Sequence, residues 1–144
     1  SKYSFVRTPC REQWGVLVRE DSELASRERV SPADLASVPL ILPEREIVQN
    51  ELLNWFGPYA EGLRITATGN LLYNLASLAR ASGGSVLTLN LDCTYEGLRF
   101  IPLSPPLESN TVLVWKKTQT FSAAAAALIE FSEKYISGME QNLI

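Results

Sequence analysis

A polar turn, Thr68-Gly69-Asn70, separates a run of β-branched residues from an amphipathic helical pattern. The stretch from Ile65 to Leu91 predicts a strand, this turn, a helix that ends at Gly83-Gly84, and a second strand, which together make a βαβ unit. Such a unit places the helix N-terminus at the carboxyl edge of a parallel sheet, where free N–H groups and the helix dipole attract anionic ligands. The turn therefore predicts a small-molecule site. A simple helix cap is the alternative, and the two roles are compatible.

A second unit of the same layout precedes the first. Residues 39–42 predict a buried strand, and residues 44–56 predict a helix that ends at Gly57-Pro58. Ahead of this strand, the segment Ser31-Pro32-Ala33-Asp34 carries a helix-start signature, since the serine can cap the helix and the aspartate can return a hydrogen bond to it. The chain therefore offers two turns at one sheet edge.

The remaining elements complete a mixed sheet. Asn70 is the expected cap of the central helix, whose buried face is predicted to carry Leu71, Leu75, Leu78 and Ser82. Ser122 is the expected cap of the last helix. Further strands are predicted at 14–18, 63–67, 85–91, 98–103 and 111–115.

The first and last of these apolar strands, WGVLV at 14–18 and TVLVW at 111–115, look like a matched pair. We expect them to run side by side in opposite directions and to form a hinge. Residues 3–11 precede them, and their weak alternation with Pro9 predicts an entering segment with little structure of its own.

Composition narrows the class of protein. The chain has 144 residues, of which 46% are hydrophobic and 20% are charged, which suits one α/β domain. No apolar run approaches the roughly 20 residues of a membrane span. The start has neither an initiating Met nor a secretory signal, so we expect a piece of a longer cytoplasmic protein. Cys10 and Cys93 suit idle thiols in a reducing compartment, and a single bridge between them stays open.

Net charge and the kinds of side chain present argue against nucleic-acid binding by this segment and against catalysis. The net charge is −3, and no basic stripe is present. Without histidine the chain has no Ser-His or Cys-His couple, and its cysteines and carboxylates lack metal-ligand spacing. Glycine-rich phosphate loops are absent, and no carboxylate pair stands out. We therefore expect no enzyme, no metal and no cofactor.

Taken in order, the motifs resemble the co-inducer-binding domain of LysR-type transcriptional regulators, from about residue 14 to residue 135. The resemblance is carried by WGVLV with the DSELA segment, VSPADL before PLIL, NLLYNLA running to Gly83-Gly84, RFIPLSPPLES, TVLVWKK, and the Phe121-Ser122 entry to the last helix.

The resemblance implies an α/β fold, in which a mixed sheet flanked by helices forms one lobe of a two-lobed domain similar to type II periplasmic binding proteins. Residues 14–117 would form the second lobe with hinge strands 14–18 and 111–115. Residues 1–13 would enter it, and residues 118–144 would return as a helix to the first lobe. The remainder of that lobe and the DNA-binding domain would lie outside the chain.

The resemblance also implies a function. A small and possibly anionic metabolite would bind between the lobes of a bacterial regulator. Such a regulator would be a dimer or tetramer, would contact DNA only through a separate N-terminal domain, and would not contact a membrane. A solute-binding protein of a transport system, which has the same fold, is the alternative.

Carried onto matching positions, the resemblance places eight ligand-binding residues on the strand ends and turns. If Arg45 faces the cleft, its planar fork suits a carboxylate or phosphate, whereas Arg45 and Glu44 could instead be solvated charges in the first turn of a helix. The eight are Leu42, Pro43, Glu44, Arg45, Thr68, Gly69, Asn70 and Thr88.

Overall fold

A computed structural model describes residues 1–141 of the chain, so the last three residues of the predicted segment 118–144 lie outside the described part. Within this described part, six strands and four α-helices follow one another, and two short 3-10 helices lie at Glu23–Ser26 and Gly57–Gly62. In chain order the elements are β1 (Tyr3–Arg19), α1 (Pro32–Ala36), β2 (Leu40–Pro43), α2 (Glu46–Phe56), β3 (Ile65–Gly69), α3 (Leu72–Ser82), β4 (Ser85–Leu89), β5 (Leu98–Pro102), β6 (Glu108–Lys116) and α4 (Ala123–Gln141).

The chain forms two compact units, one of residues 13–108 and one of residues 1–12 together with the chain from 109 onward. In the larger unit, the strands lie in the order β3-β2-β4-β1-β5. The first three are parallel, and β1 is antiparallel to both β4 and β5. The predicted mixed sheet with flanking helices is therefore confirmed.

Alternation along β2 divides the core of this unit between the two faces of the sheet. Leu40 and Leu42 pack into one cluster with Leu52 and Phe56 of α2. Ile41 points the other way and packs into a second cluster with residues of α3. Since side chains of a strand alternate between faces, one four-residue strand anchors both helices.

The helix start predicted at Ser31 is confirmed. The Ser31 hydroxyl accepts a hydrogen bond from the Asp34 backbone N–H at 3.3 Å, and the Asp34 carboxylate accepts one from the Ser31 N–H at 2.8 Å. This reciprocal pair is a capping box, and Pro32 occupies the first turn, as expected. Gly83 ends α3 in the left-handed conformation, with φ of 75°.

The prediction for the start of α3 is wrong. Leu71, not Asn70, is the N-cap residue, and no side chain caps the helix. The buried face is also shifted, because Leu75, Ala76 and Ala79 are buried whereas Leu71 and Leu78 are exposed. The three buried residues repeat at i, i+1 and i+4, so the true apolar stripe is offset by one residue from the predicted one.

The expectation about residues 3–11 is also wrong. These residues are not an irregular entry, because they belong to the 17-residue strand β1. Their half of β1 pairs with β6, and the Lys117 N–H donates to the Lys2 carbonyl at 3.1 Å while the Thr8 hydroxyl donates to the Thr111 carbonyl at 3.0 Å. The two strands therefore run in opposite directions.

The predicted pairing of WGVLV with TVLVW is therefore wrong. Residues 14–17 pair with residues 86–89 of β4, and residues 15–19 pair with β5. TVLVW lies instead opposite the first part of β1, since Thr111 meets Thr8. In this smaller unit α4 begins as expected after Ser122, whose hydroxyl accepts a hydrogen bond from the Ala125 N–H at 3.2 Å.

Candidate functional site

A cavity of about 170 Å³ lies where β2, β3 and β4 end and where α2 and α3 begin. All of its walls belong to the larger unit. Six of the eight residues that the sequence indicates come together here. The lining residues are Pro43, Glu44, Arg45, Gly69, Asn70 and Thr88 from that prediction, together with Leu72, Leu75 and Leu87.

Parallel pairing of β2 with β3 brings the two predicted turns side by side. Pro43 is opposite Gly69 in the register, and the Glu44 backbone N–H donates to the Gly69 carbonyl at 2.9 Å. The turns also lie close to α3, since a Cβ added to Gly69 would stand 2.6 Å from Cδ2 of Leu75. A glycine is therefore the residue that lets the turn lie against the helix.

Both helices that begin at the cavity lack a side-chain cap. Arg45 is the N-cap residue of α2 and Leu71 that of α3, and neither side chain accepts a hydrogen bond from its helix. In α2 the Val48 N–H already donates to the Arg45 carbonyl at 3.0 Å, and the other first-turn N–H groups of these two 11-residue helices have no side-chain acceptor at this edge. Together with the two dipoles they favour a negatively charged group.

Charged and polar side chains line the mouth of the cavity. Glu44, Arg45 and Asn70 are exposed, and the side chains of Glu44 and Arg45 make no hydrogen bond or ion pair with any residue from 1 to 139, the range in which side chains are described. Thr88 is only 8% exposed, and its hydroxyl donates one long hydrogen bond, 3.3 Å, to the carbonyl of Leu89. These groups leave most of their hydrogen-bonding capacity for a ligand.

Two leucines that sequence reasoning missed, Leu72 and Leu75, form an apolar wall on the α3 side of the cavity. Leu75 is buried, and Leu72 packs against the cluster that contains it. Leu87 also borders the cavity, but its side chain is fully buried in the core on the α2 face of the sheet. The helical spacing of Leu72 and Leu75 and the apolar run around Leu87 predict core residues, and nothing in these patterns distinguishes a cavity wall from a filled core.

Two of the eight predicted residues do not line the cavity. Leu42 is 1% exposed, and its side chain fills the core on the α2 face of the sheet. Thr68 is exposed, because alternation along β3 turns it to the face opposite Ala67, which packs on the cluster around α3. Strand alternation therefore places both side chains outside this cavity, and ligand binding by any of the eight residues stays a prediction.

Metal-binding and disulfide sites are absent from the part of the chain whose side chains are described. Within residues 1–139, no group of three or more His, Cys, Asp or Glu side chains could hold a metal ion. Cys10 and Cys93 are both free and exposed, so they do not form the bridge that the sequence left open. Over the same residues, no helix has the length and apolar character needed to cross a membrane.

Comparison with known proteins places this geometry in a family. A family model described as the LysR substrate binding domain matches residues 5–136. Among solved structures, the chain is similar to HinK, a LysR family transcriptional regulator from Pseudomonas aeruginosa, with 18% identity and a TM-score of 0.73 over 94% of this chain and 48% of that one. It thus spans about half the length of HinK. None of the curated proteins matches the chain.

Two ligand-bound structures have a similar fold. The regulatory domain of CcmR from Synechocystis PCC6803, in complex with 2-PG, has a TM-score of 0.75 at 11% identity, over 96% of this chain and 69% of that one. The effector binding domain of QuiR, in complex with shikimate, has a TM-score of 0.71 at 17% identity, over 93% of this chain and 66% of that one. At these identities the two structures support the fold. Because the family model covers residues 5–136, the chain belongs to the LysR substrate-binding domain family.

Proposed function

We propose that the chain senses a small effector with a carboxylate or another anionic group, and that the cavity between α2 and α3 holds this group. The observation that carries the proposal is the convergence of two uncapped helix N-termini on a cavity that Arg45 also lines. A carboxylate placed there would accept hydrogen bonds from backbone N–H groups and from the arginine, whose planar fork binds carboxylates in bidentate fashion.

Membership of the family supports a regulatory role. Structures of similar fold contain shikimate in the case of QuiR and 2-PG in the case of CcmR. Shikimate is a carboxylate, so an acid of this size is compatible with the chemistry of the cavity in the present chain. The match to a LysR domain also favours a regulator over a solute-binding protein of a transport system.

The mechanism that we propose is a shift between arrangements of the complete regulator. The effector would lie between this lobe, residues 14–117, and the first lobe, and would favour the arrangement in which both lobes contact it. It can shift that equilibrium only by its difference in affinity for the two arrangements. A dimer or tetramer would pass the change to DNA-binding domains elsewhere in the regulator.

The test compares two single-residue variants of the full-length protein, each at an exposed position. Arg45→Gln removes the charge from the cavity, whereas Thr68→Val alters an exposed residue that does not line it. Carboxylates that include shikimate and benzoate are screened by thermal shift, since a ligand that binds the folded state raises Tm. We expect Arg45→Gln to weaken a hit about tenfold, because a charge-assisted hydrogen bond contributes roughly 1.5–3 kcal/mol.

DNA affinity provides the second measurement. We expect both variants to bind operator DNA as the unmodified protein does, since neither changes the DNA-binding domain. Equal effects of the two substitutions on carboxylate binding, or a parallel loss of DNA affinity in Arg45→Gln, would contradict the proposal.

A further inference from the structure

Two opposite charges stand next to each other in the cavity wall. Glu44 and Arg45 follow β2 directly, both line the cavity, and neither is paired with another residue of the described range. One carboxylate offsets one guanidinium, so these side chains give the wall no net charge. A simple anion would be attracted by Arg45 but would meet a like charge at Glu44. A ligand with both signs of charge would satisfy both residues.

The hydrogen-bonding groups of the cavity also fall into two sets, donors and acceptors. Arg45 and the first-turn N–H groups of α2 and α3 can only donate, which suits a carboxylate. Glu44 and the oxygen of Thr88 can accept, which suits an ammonium group. Thr88 is more than nine-tenths buried and accepts no hydrogen bond from any described residue, so it brings an unused acceptor to the cavity.

The third part of the wall is apolar. Leu72 and Leu75 border the cavity on the α3 side and offer no polar side-chain atom. A hydroxyl group placed against them would lose its hydrogen bonds to water, whereas an alkyl group would be stabilised by leaving water. This wall therefore selects a ligand with an apolar end.

We propose that the effector is an α-amino acid with an apolar side chain. Its carboxylate binds Arg45 and the helix N-termini, its ammonium group binds Glu44 and Thr88, and its side chain packs on Leu72 and Leu75. This inference rests on the proposed function, because it takes the same cavity as the effector site. It assigns this chain a ligand of different charge from shikimate, which has no amino group.

The experiment compares probes that share one alkyl group. Isothermal titration of the full-length protein uses L-leucine, 4-methylpentanoate, which lacks the ammonium group, and 3-methylbutylamine, which lacks the carboxylate. We expect leucine to bind about fivefold more tightly than 4-methylpentanoate, as an exposed ion pair allows. 3-Methylbutylamine should bind more weakly than leucine, because the helix N-termini repel a cation. Glycine should bind about tenfold more weakly than leucine, because it buries no alkyl group.

Substitutions identify the groups responsible. Glu44→Gln should abolish the preference for leucine over 4-methylpentanoate. Arg45→Gln should weaken both acids. Glu46→Gln is the matched control, since Glu46 is an exposed acidic residue in the first turn of α2 that does not line the cavity, and it should retain the preference.

Three results would overturn the amino-acid assignment: equal affinity for leucine and 4-methylpentanoate, a Glu44→Gln variant that keeps the preference, or no binding of leucine, valine or phenylalanine at millimolar concentration. If other carboxylates then bind in a manner that depends on Arg45, the proposed function stands without the amino-acid assignment. If no carboxylate binding depends on Arg45, the proposed function fails as well.

Discussion

The packing of Gly69 against α3 predicts that one added methyl group will affect both stability and ligand binding. An alanine Cβ at this position would lie 2.6 Å from Cδ2 of Leu75, well inside van der Waals contact. The three heavy atoms nearest to this Cβ, at 2.6, 3.5 and 3.9 Å, all belong to the Leu75 side chain, so this side chain is the group that must move. Leu75 is 8% exposed and is surrounded by core residues on one side and by the cavity on the other. We therefore expect it to move toward the cavity.

The cost follows from two opposing contributions. An extra methyl group in a packed core costs about 1–3 kcal/mol. Replacing glycine with alanine returns about 0.4–1 kcal/mol by reducing the entropy of the unfolded chain. The net loss is about 1.3 kcal/mol, which lowers Tm by about 3–5 °C in a domain of this size. Ligand affinity should fall about tenfold, because the added methyl and the displaced Leu75 occupy space in a cavity of about 170 Å³.

Gly62→Ala is the matched control. Gly62 is exposed, lies at the end of a 3-10 helix, and has no atom within 4 Å of an added Cβ. This variant should equal or slightly exceed the unmodified protein in Tm. Both variants are measured by scanning fluorimetry and by titration with a carboxylate hit. If Gly69→Ala behaves like Gly62→Ala in both assays, the close approach of the turn to Leu75 is refuted.

Two further predictions concern stability. Hydrogen bonding from the Ser31 backbone N–H, opposed by partial burial and assisted by the Ser31 hydroxyl and Arg27, lowers the pKa of Asp34. The ionised Asp34 carboxylate therefore stabilises the fold fully above the unfolded pKa of about 4, and this stabilisation is lost as pH falls through the lowered pKa of the folded state. We expect Asp34→Asn to lower the free energy of unfolding by about 1 kcal/mol at pH 7 and by nearly nothing at the lowest pH, as measured by urea denaturation. An equal cost at both pH values would contradict this. Gly83→Ala should lower the free energy of unfolding by about 1 kcal/mol in the same assay. The cost is conformational, because φ at Gly83 is 75° and an added methyl group would meet no atom within 4 Å. An unchanged denaturation midpoint would refute this argument.

Local sequence signals predict local structure here because their physical causes lie within a few residues. The start of α1 depends on Ser31 and Asp34, which bond to each other across one turn. The partners of WGVLV depend on β4 and β5, which lie far along the chain. Apolar composition predicts that the strand is buried but carries no information on register, and for this reason the pairing with TVLVW was a plausible and wrong prediction.

The candidate site likewise has one part that could be predicted from the sequence and another that could not. Parallel strands must end at one edge, so the turns at Pro43 and Gly69 could be placed together from the sequence. The resemblance assigns Leu42 and Thr68 to the site by their position along the chain, whereas the alternation of each strand decides which face its side chains take. The leucine wall could not be predicted, because Leu72 and Leu75 have the same helical spacing as any pair of core residues.

The order of strands in the sheet has a consequence for synthesis of the protein on the ribosome. Residues 14–18 of β1 are synthesised before their partners on both sides, β4 and β5, which end at residues 89 and 102. At typical rates of translation, this apolar segment stays unpaired for about ten seconds. We therefore expect the nascent chain to expose Trp14, Val16 and Val18 to molecular chaperones during this interval, until synthesis of β5 completes the pairing of this segment.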